Sequence, residues 1–180
     1  MKKKEHTSLG PNMINTFEQE PSFKIEKYDP ITAQWEVIAP DLLEIVEKAF
    51  LGKVSSIDWL KKNFDDQETV ALIVKEISTD RVVGYAYALP LHGYEADDTV
   101  HLAAIAIHPR CQKNKLTGGM MSIMEDEFFK RGYRYISGDY AIENGFADTV
   151  QKHYASRVVE VQNWQRPDGV SQRHMKIRLQ

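Results

Sequence analysis

The spacing of apolar residues predicts where the chain is helical and where it is extended. Apolar side chains recur at helical spacing from Asp41 to Phe50, and a second such stretch follows Ser56, a residue type that caps helices. Extended segments are richer in β-branched and aromatic residues. These predicted strands cover 23–27, 69–77, 82–91 and 100–107. The first half is therefore a strand, two helices and three strands, of which the first two form a hairpin.

The second half alternates between the same two kinds of segment. Helices are predicted over 117–130 and 144–154, and strands over 133–137, 158–161 and 174–179. The last two strands are expected to pair with each other, whereas crossover helices join strands that run parallel. This order is typical of an α+β fold with a mixed central sheet of about six to seven strands flanked by about four helices.

Length and charge restrict the class of protein. A chain of 180 residues most simply holds one folded domain, expected here over 22–180, after a polar and flexible N-terminal tail over 1–21. The net charge of −3 argues against a nucleic-acid or membrane-surface binder. Cys111 is the single cysteine, so neither an internal disulfide nor a cysteine-rich metal site is expected. With no apolar run of membrane length, a cytoplasmic protein is the expectation.

The most informative segment runs from Leu102 to Met121. It combines an apolar strand, a stop at Pro109, a polar loop and the start of a helix rich in methionine. A loop that leads from a strand into a helix binds phosphate groups well, because free backbone N–H groups and the positive end of the helix dipole converge there. Lys113 and Lys115 add positive charge to the same loop. A diphosphate-binding loop is therefore expected.

The same segment resembles the central motif of the GNAT superfamily of acyl-CoA-dependent N-acyltransferases. In that motif an apolar strand ending near a proline leads into a Gln/Arg-x-x-Gly-x-Gly/Ala loop. Gln112 takes the Gln/Arg place, Lys115 that of the first glycine and Thr117 that of the second. The order of the predicted elements extends the resemblance over nearly the whole of 22–180.

The resemblance implies an enzyme that transfers an acetyl or other acyl group from a coenzyme A thioester to a primary amine by direct attack. The co-substrate is then acetyl-CoA or another acyl-CoA, no metal is needed, and the acceptor is an amine-bearing small molecule or a protein amine. The strand backbone would pair with the pantetheine arm, an amide near Ile105 would stabilise the developing oxyanion, and 112–118 would hold the pyrophosphate. The coenzyme-binding residues implied in this way are Ile105, Ala106, Ile107, Gln112, Lys113, Asn114, Lys115, Leu116, Thr117, Gly118 and Asn144.

Both glycine places of the motif carry side chains in this chain. Glycine permits a positive φ and a close backbone approach, whereas a left-handed Lys115 costs roughly 1 kcal/mol or more. Either the loop uses ordinary φ angles, or the coenzyme lies slightly further out. The substitution leaves open a second interpretation, a catalytically weak GNAT-fold module that senses coenzyme A or binds a protein. A third is an unrelated α+β binding domain.

Three side chains are candidates for proton transfer. The resemblance suggests Tyr154 as the proton donor to the departing thiolate, although Tyr154 lies further from Asn144 than in most relatives, and a tyrosine packed on the core is the alternative. For Asn144 itself, capping the helix is the alternative to contacting the pantetheine. Three alternatives are open for the base that deprotonates the amine. The first is His101, which titrates near neutrality, and the second is Glu143, which follows the next strand and lies near the same end of the sheet. The third is a chain of water molecules, which needs neither residue.

The sequence specifies less about the part of the site that binds the amine acceptor. The loops 51–56 and 92–99 are expected to form it, because acceptor specificity lies in loops that differ between relatives. Glu95, Asp97 and Asp98 make the second loop acidic. They are either a solvated surface or the rim of a cleft that favours a cationic amine, such as a polyamine, an aminoglycoside or a lysine side chain. The oligomeric state stays open, a homodimer included.

Overall fold

The computed structural model describes residues 22–49 and 56–180, and the order of their helices and strands follows the predicted one. The strands are β1 (Phe23–Lys27), β2 (Val70–Glu76), β3 (Val82–Pro90), β4 (Thr99–Ile107), β5 (Tyr135–Ala141), β6 (Val158–Gln165) and β7 (Ser171–Arg178). The helices are α1 (Trp35–Ala49), α2 (Ile57–Phe64), α3 (Leu116–Lys130) and α4 (Phe146–His153). In the described part the strands form one sheet, in the order β1-β2-β3-β4-β5-β7-β6. The predicted α+β fold with a mixed sheet is confirmed.

Some sequence predictions lie outside the described residues. They are the flexible tail over 1–21, the end of the first helix at Phe50, and the acceptor loop over 51–56 apart from its last residue. That last residue, Ser56, caps α2 as predicted, because its hydroxyl accepts a hydrogen bond from the backbone N–H of Trp59.

Helix α1 begins earlier than the sequence predicts. The prediction placed its start at Pro40, but the helix starts at Trp35 and carries Pro40 in its interior. The indole of Trp35 is buried and makes edge-on contacts with the rings of Tyr28 and Phe64, at centroid distances of 6.1 and 6.0 Å. The predicted start was wrong because this packing outweighs the backbone hydrogen bond that a proline removes from a helix interior.

Strand β5 is longer than predicted, running to Ala141 rather than stopping at Ser137. Gly138 and Asp139 have low strand propensity, which is why the sequence pattern breaks there. They are extended nonetheless, because β5 pairs with β7 over its whole length. The β6–β7 hairpin is also longer than predicted. The added residues are mostly polar, so the edge of the sheet formed by β6 and β7 is longer and more polar than the sequence indicates.

Apolar side chains fill both faces of the central strands. In β2, Leu72 and Val74 belong to the core beneath α3 and α4, while Ala71 and Ile73 belong to the core beneath α1 and α2. Burial on both faces explains why the central strands read as continuous apolar runs. Among the described residues, the core beneath α1 and α2 takes its strand residues from β2, β3 and β4. On the same face of the sheet, β5 and β7 carry polar side chains such as Ser137, Asp139 and His174.

The sheet opens between β4 and β5. The two strands run parallel and pair only from Thr99 with Tyr135 to Leu102 with Gly138, within the part of the chain that the structure describes. Beyond that point β4 continues along β3, and β5 continues along β7. At the point of divergence Ala103 is an extra residue in β4, a bulge that bends the strand. The gap between 103–107 and 139–141 is called the wedge below.

Candidate active site

One wall of the wedge is the free backbone edge of β4. The amide of His108 donates to the carbonyl of Val83 in the β3 direction, at 2.8 Å. Hydrogen-bonding groups alternate sides along a strand, so the N–H groups of Ile107 and Ile105, one and three positions before His108, point away from β3 and into the wedge. An extended molecule lying in the wedge can therefore hydrogen-bond to these two residues as another strand would.

The chain leaves the wedge through a short 3₁₀ turn, Pro109–Cys111, that is fixed to the sheet by an ion pair between the exposed Arg110 and the buried Glu76. The guanidinium of Arg110 donates to both carboxylate oxygens of Glu76 at 3.1 Å, and Glu76 is only 6% exposed. Hydrogen bonds from Thr79 and Arg110 hold the pKa of Glu76 below its ordinary value. This bidentate contact fixes the position at which the following loop starts.

The loop itself keeps the left-handed backbone without glycine. Lys115, at the place of the first glycine, has φ +57°, and Lys113 has φ +71°. The side-chain amide of Asn114 lies between them and donates to the carbonyl of Cys111 at 3.0 Å, which stabilises the turn. Of the two alternatives left by the sequence, ordinary φ angles at Lys115 are therefore wrong. The loop has the expected shape at a cost of about 1 kcal/mol for each left-handed lysine.

The loop ends on the N-terminus of α3, where backbone N–H groups are free. Lys115 is the N-cap and supplies no side-chain hydrogen bond to the first turn. Because the first N–H groups of a helix have no intrahelical partner, those of Leu116, Thr117 and Gly118 point out of the helix end. Among the described residues, neither Lys113 nor Lys115 forms an ion pair. This end of the wedge therefore combines free donors and free positive charge, which suits a phosphate group.

A groove of about 550 Å³ continues from this helix end along α3. Gly118, Ser122 and Glu125 of α3 line it on one side, and Tyr154 just after α4 lies on the other. Burial and a hydrogen bond to Glu125 raise the pKa of Tyr154. The guanidinium of Arg157 packs on the ring of Tyr154 at 4.7 Å and bonds the carboxylate of Glu125 at 2.7 Å. The hydroxyl of Tyr154 thus faces α3.

Two other predicted residues, Asn144 and Glu143, hold the turn before α4. The side-chain oxygen of Asn144 accepts a hydrogen bond from the N–H of Phe146 at 3.0 Å, so it caps the turn. Glu143 accepts from the N–H of Ser171 at 2.6 Å, and this bond lowers the pKa of Glu143. No contact within the described residues joins Glu143 to His101. The structure does not bring these two base candidates together.

His101 lies at the closed end of the wedge, within a cluster of polar side chains. Its neighbours Val100 and Leu102 belong to the core beneath α3 and α4, so the imidazole points to the opposite face of the sheet. There its Nδ1 is 3.0 Å from the hydroxyl of Ser137, its partner across β4 and β5. Glu95 completes this side of the cluster, with a carboxylate oxygen 2.6 Å from the same hydroxyl.

The hydrogen bonds of Ser137 fix the tautomer of His101. Ser137 has one hydroxyl proton and donates it to the carboxylate of Glu95, so it can only accept from His101. The imidazole therefore carries its proton on Nδ1 and presents a bare Nε2. Burial lowers the pKa of His101, against the opposing charges of Asp139 and Glu95, and favours the neutral ring. Ser137 is fully buried, which excludes it as a nucleophile toward a bound substrate.

Asp139 occupies the other side of His101. Its Oδ2 lies 3.9 Å from Nε2 of His101, while its Oδ1 accepts hydrogen bonds from Nδ1 of His174 at 3.2 Å and from the indole N–H of Trp164 at 2.9 Å. Burial alone would raise the pKa of Asp139, but the bonds from His174 and Trp164 outweigh it and lower the pKa. The bond to Asp139 raises the pKa of His174 in turn.

Sequence reasoning identified His101 but missed most of this cluster. Ser137 and Asp139 alternate along β5, and His174 lies opposite Asp139 on β7, so all three share one face. The available signal was the polar alternation at 137 and 139, which the prediction lost by ending the strand at Ser137. Of the acidic loop, Glu95 reaches the cluster, whereas Asp98 lies 3.8 Å from Arg134.

The sequence also overlooked Tyr140. Its hydroxyl is buried, has no hydrogen-bond partner among the described residues, and packs over Gly138, the last residue of β5 that pairs with β4. A Cβ on Gly138 would approach this hydroxyl to 2.8 Å, so glycine is required for the ring to lie there. Tyr140 thus places a free hydroxyl close to the closed end of the wedge, on the face of α3 and α4.

Comparison with known proteins identifies the family. A family model described as the acetyltransferase (GNAT) family matches residues 35–144, more than half of the chain. The chain belongs to the GNAT acetyltransferase family. No sequence of a curated protein matches it. The matched range includes the wedge, the loop over 112–118 and the polar cluster apart from its members on β6 and β7.

Solved GNAT structures share the fold of this chain. The ribosomal-protein-S18-alanine N-acetyltransferase from Escherichia coli has a TM-score of 0.65 at 15% identity, over 88% of this chain and 94% of its own. The aminoglycoside 6′-N-acetyltransferase from Enterococcus faecium has a TM-score of 0.62 at 15% identity, over 87% and 97%. The yncA protein from Salmonella typhimurium, solved with its cofactor acetyl-CoA, has a TM-score of 0.63 at 15% identity, over 88% and 95%.

Two features are absent from the described residues. None of the helices described here is both long and apolar enough to cross a membrane. No group of three or more His, Cys, Asp or Glu side chains in 22–49 and 56–180 is arranged to hold a metal ion.

Proposed function

We propose that the protein is an N-acetyltransferase that moves an acetyl group from acetyl-CoA to a primary amine by direct attack. The observation that carries the proposal is the position of His101. Its bare Nε2 lies at the closed end of a wedge whose other end has the features of a phosphate site. A base and a coenzyme site thus meet at one gap in the sheet.

The residues around the wedge fit the parts of the coenzyme. The free N–H groups near Ile105 and Ile107 suit the amide groups of the pantetheine arm, as in a strand pair. The helix end at Leu116–Gly118, with Lys113 and Lys115, suits the pyrophosphate. The thioester supplies an activated carbonyl, and an amide N–H at the free edge of β4 would stabilise the negative charge that develops on its oxygen.

The amine must lose a proton before or during attack, because an alkylammonium has a pKa near 10.4 and is not nucleophilic. We assign this proton to Nε2 of His101, with Asp139 stabilising the imidazolium that forms. The departing thiolate has a pKa of about 8.5 and leaves without obligatory help. Tyr154 and Tyr140 are the tyrosines that could provide such help, and Tyr154 would have to turn from Glu125 to contribute.

A catalytically weak module that senses coenzyme A is the second candidate. The filled glycine places at Lys115 and Thr117 favour it. The left-handed conformation of Lys115, with a second left-handed lysine at Lys113, is also an unusual way to build a phosphate loop. Binding of coenzyme A is common to both candidates, and turnover separates them.

The test is release of free thiol from acetyl-CoA in the presence of spermidine, kanamycin, Nα-acetyl-lysine or propylamine. We expect turnover with at least one amine, and a fall in kcat/KM of about 10²- to 10⁴-fold in His101→Ala. Lys130→Ala is the control, because Lys130 is exposed at the C-terminal end of α3 and pairs with Asp126. Coenzyme A binding without turnover on any amine would favour the sensing module, and full activity of His101→Ala would remove His101 as the base.

A further inference from the structure

The carboxylate of Asp139 has two different oxygens. Oδ1 accepts from two donors on the β6–β7 hairpin, His174 and Trp164. An indole N–H is a donor only, and a carboxylate accepts only, so both bonds fix the orientation of the group. Oδ2 is left pointing toward Nε2 of His101, 3.9 Å away. One oxygen is thus used to hold the carboxylate and the other is presented to the base.

The space between Oδ2 of Asp139 and Nε2 of His101 fits one nitrogen atom that is hydrogen-bonded to both. Both atoms are acceptors, because the hydroxyl of Ser137 fixes the proton of His101 on Nδ1. A nitrogen that donates to each at about 2.8 Å forms a triangle with the 3.9 Å separation as its base. A primary ammonium has three N–H donors, so two of its protons can serve these acceptors while the alkyl chain leads outward.

This position is accessible from solvent and negatively charged. The side chain of Asp139 is 31% exposed, and Trp164 is 40% exposed beside it. Among the described residues, the apolar core beneath α1 and α2 ends at β4, so none of its side chains covers this face of β5 and β7. The carboxylates of Asp139 and Glu95 face the position, and that of Glu160 acts on His174 from β6. The groups opposing them are the imidazoles of His101 and His174 and, on the same face of β7, Lys176.

We infer that Asp139 binds the reacting ammonium group of the acceptor and presents it to His101, so that the acceptors of this enzyme are amines that are cationic at neutral pH. The inference rests on the proposed function and names the acceptor class for the same site. His174 and Trp164 are positioning residues, because they act through Asp139. One proton passes from the ammonium to Nε2, and the nitrogen lone pair then forms the new C–N bond as the C–S bond breaks. The second proton lost by the nitrogen leaves with the departing thiolate, which becomes the free thiol of coenzyme A.

A matched pair of acceptors tests the charge directly. Propylamine and O-ethylhydroxylamine have the same chain length, but only the first is cationic at pH 7. In Asp139→Asn we expect kcat/KM to fall at least tenfold more for propylamine than for O-ethylhydroxylamine, which loses only the stabilisation of the imidazolium, with the KM for acetyl-CoA unchanged. Asp126→Asn is the control, since Asp126 is exposed on α3 and pairs with Lys130. An equal loss for both acceptors would overturn the inference.

A binding measurement keeps this inference separate from the proposed function. The indole N–H of Trp164 donates to Asp139, so its NMR signal reports on the carboxylate, and Trp164→Phe assigns that signal. Propylamine added to the protein saturated with coenzyme A should shift the signal, and the shift should be lost in Asp139→Asn. If the wild type shows the shift without turnover, the proposed function fails and the ammonium site stands. A signal that does not move in the wild type removes the ammonium site.

Discussion

The environment of His101 combines two effects that act on different properties of the imidazole. Its hydrogen bond to Ser137 decides which nitrogen carries the proton, and burial decides how readily the ring takes up a second one. Both favour a neutral ring with Nε2 free. Asp139 and Glu95 oppose the burial effect on the pKa of His101 without cancelling it. A base of this kind stays available at slightly acid pH.

The pH dependence of the rate follows from this lowered pKa. Since His101 must be neutral to accept a proton, kcat/KM should be constant above its ordinary pKa of 6.5 and fall only as the pH drops below that value. The measurement uses O-ethylhydroxylamine, which is neutral at pH 7 and far less basic than an alkylamine. In Glu95→Gln the acid limb should move to still lower pH, because a charge that raises the pKa of His101 is lost. A limb that moves to higher pH would contradict this assignment.

At the scale of the elements, the junction of β4 and α3 combines rigid anchoring with local strain. The contact between Arg110 and Glu76 fixes the start of the loop, and the two left-handed lysines shape its end. Such strain persists where surrounding structure enforces it, and it is common at binding sites. In place of the first glycine, Lys115 brings a positive charge beside the helix N-terminus, and Lys113 adds a second charge to the same loop.

Two substitutions of Lys115 separate backbone strain from charge. Both Lys115→Gly and Lys115→Ala remove the charge, so both should raise the KM for acetyl-CoA, by roughly threefold to tenfold if one charge contact of about 1 kcal/mol is lost. Only glycine relieves the positive φ of 57°. The free energy of unfolding of Lys115→Gly should therefore exceed that of Lys115→Ala by about 1 kcal/mol. Urea denaturation measures the difference, and equal stabilities would show that the loop relaxes.

Across the whole molecule, the features that depend on local sequence patterns were predicted. The features that depend on contacts between distant parts of the chain were not. The order of helices and strands follows from local periodicity, so it was predicted, and so was the loop over 112–118 with its free helix end. The wedge depends on where β4 stops pairing with β5, which no local pattern encodes. Likewise Asp139 and His174 are 35 residues apart in sequence and meet only through strand register. His101 was found because its own strand was clear, and its partners were not.

Coenzyme binding should be visible in the stability of the whole fold. A ligand that binds only the native state adds about 2.7 kcal/mol to the free energy of unfolding at one hundred times its Kd. For a chain of this size that corresponds to a rise in Tm of roughly 5–10 °C. A thermal shift with coenzyme A measures it, and adenosine alone, which lacks pyrophosphate and pantetheine, is the control. No shift with coenzyme A would argue against the wedge as its site.

The divergence of β4 and β5 gives the sheet two additional edges in its interior. Strand edges are templates that capture extended chains, and folded proteins ordinarily shield them because they promote aggregation. Here one such edge is the backbone of β4 at Ile105 and Ile107, whose N–H groups point into the wedge. A coenzyme bound as proposed would pair with these groups and cover the edge. Aggregation of the purified protein through this edge should therefore slow when coenzyme A is added.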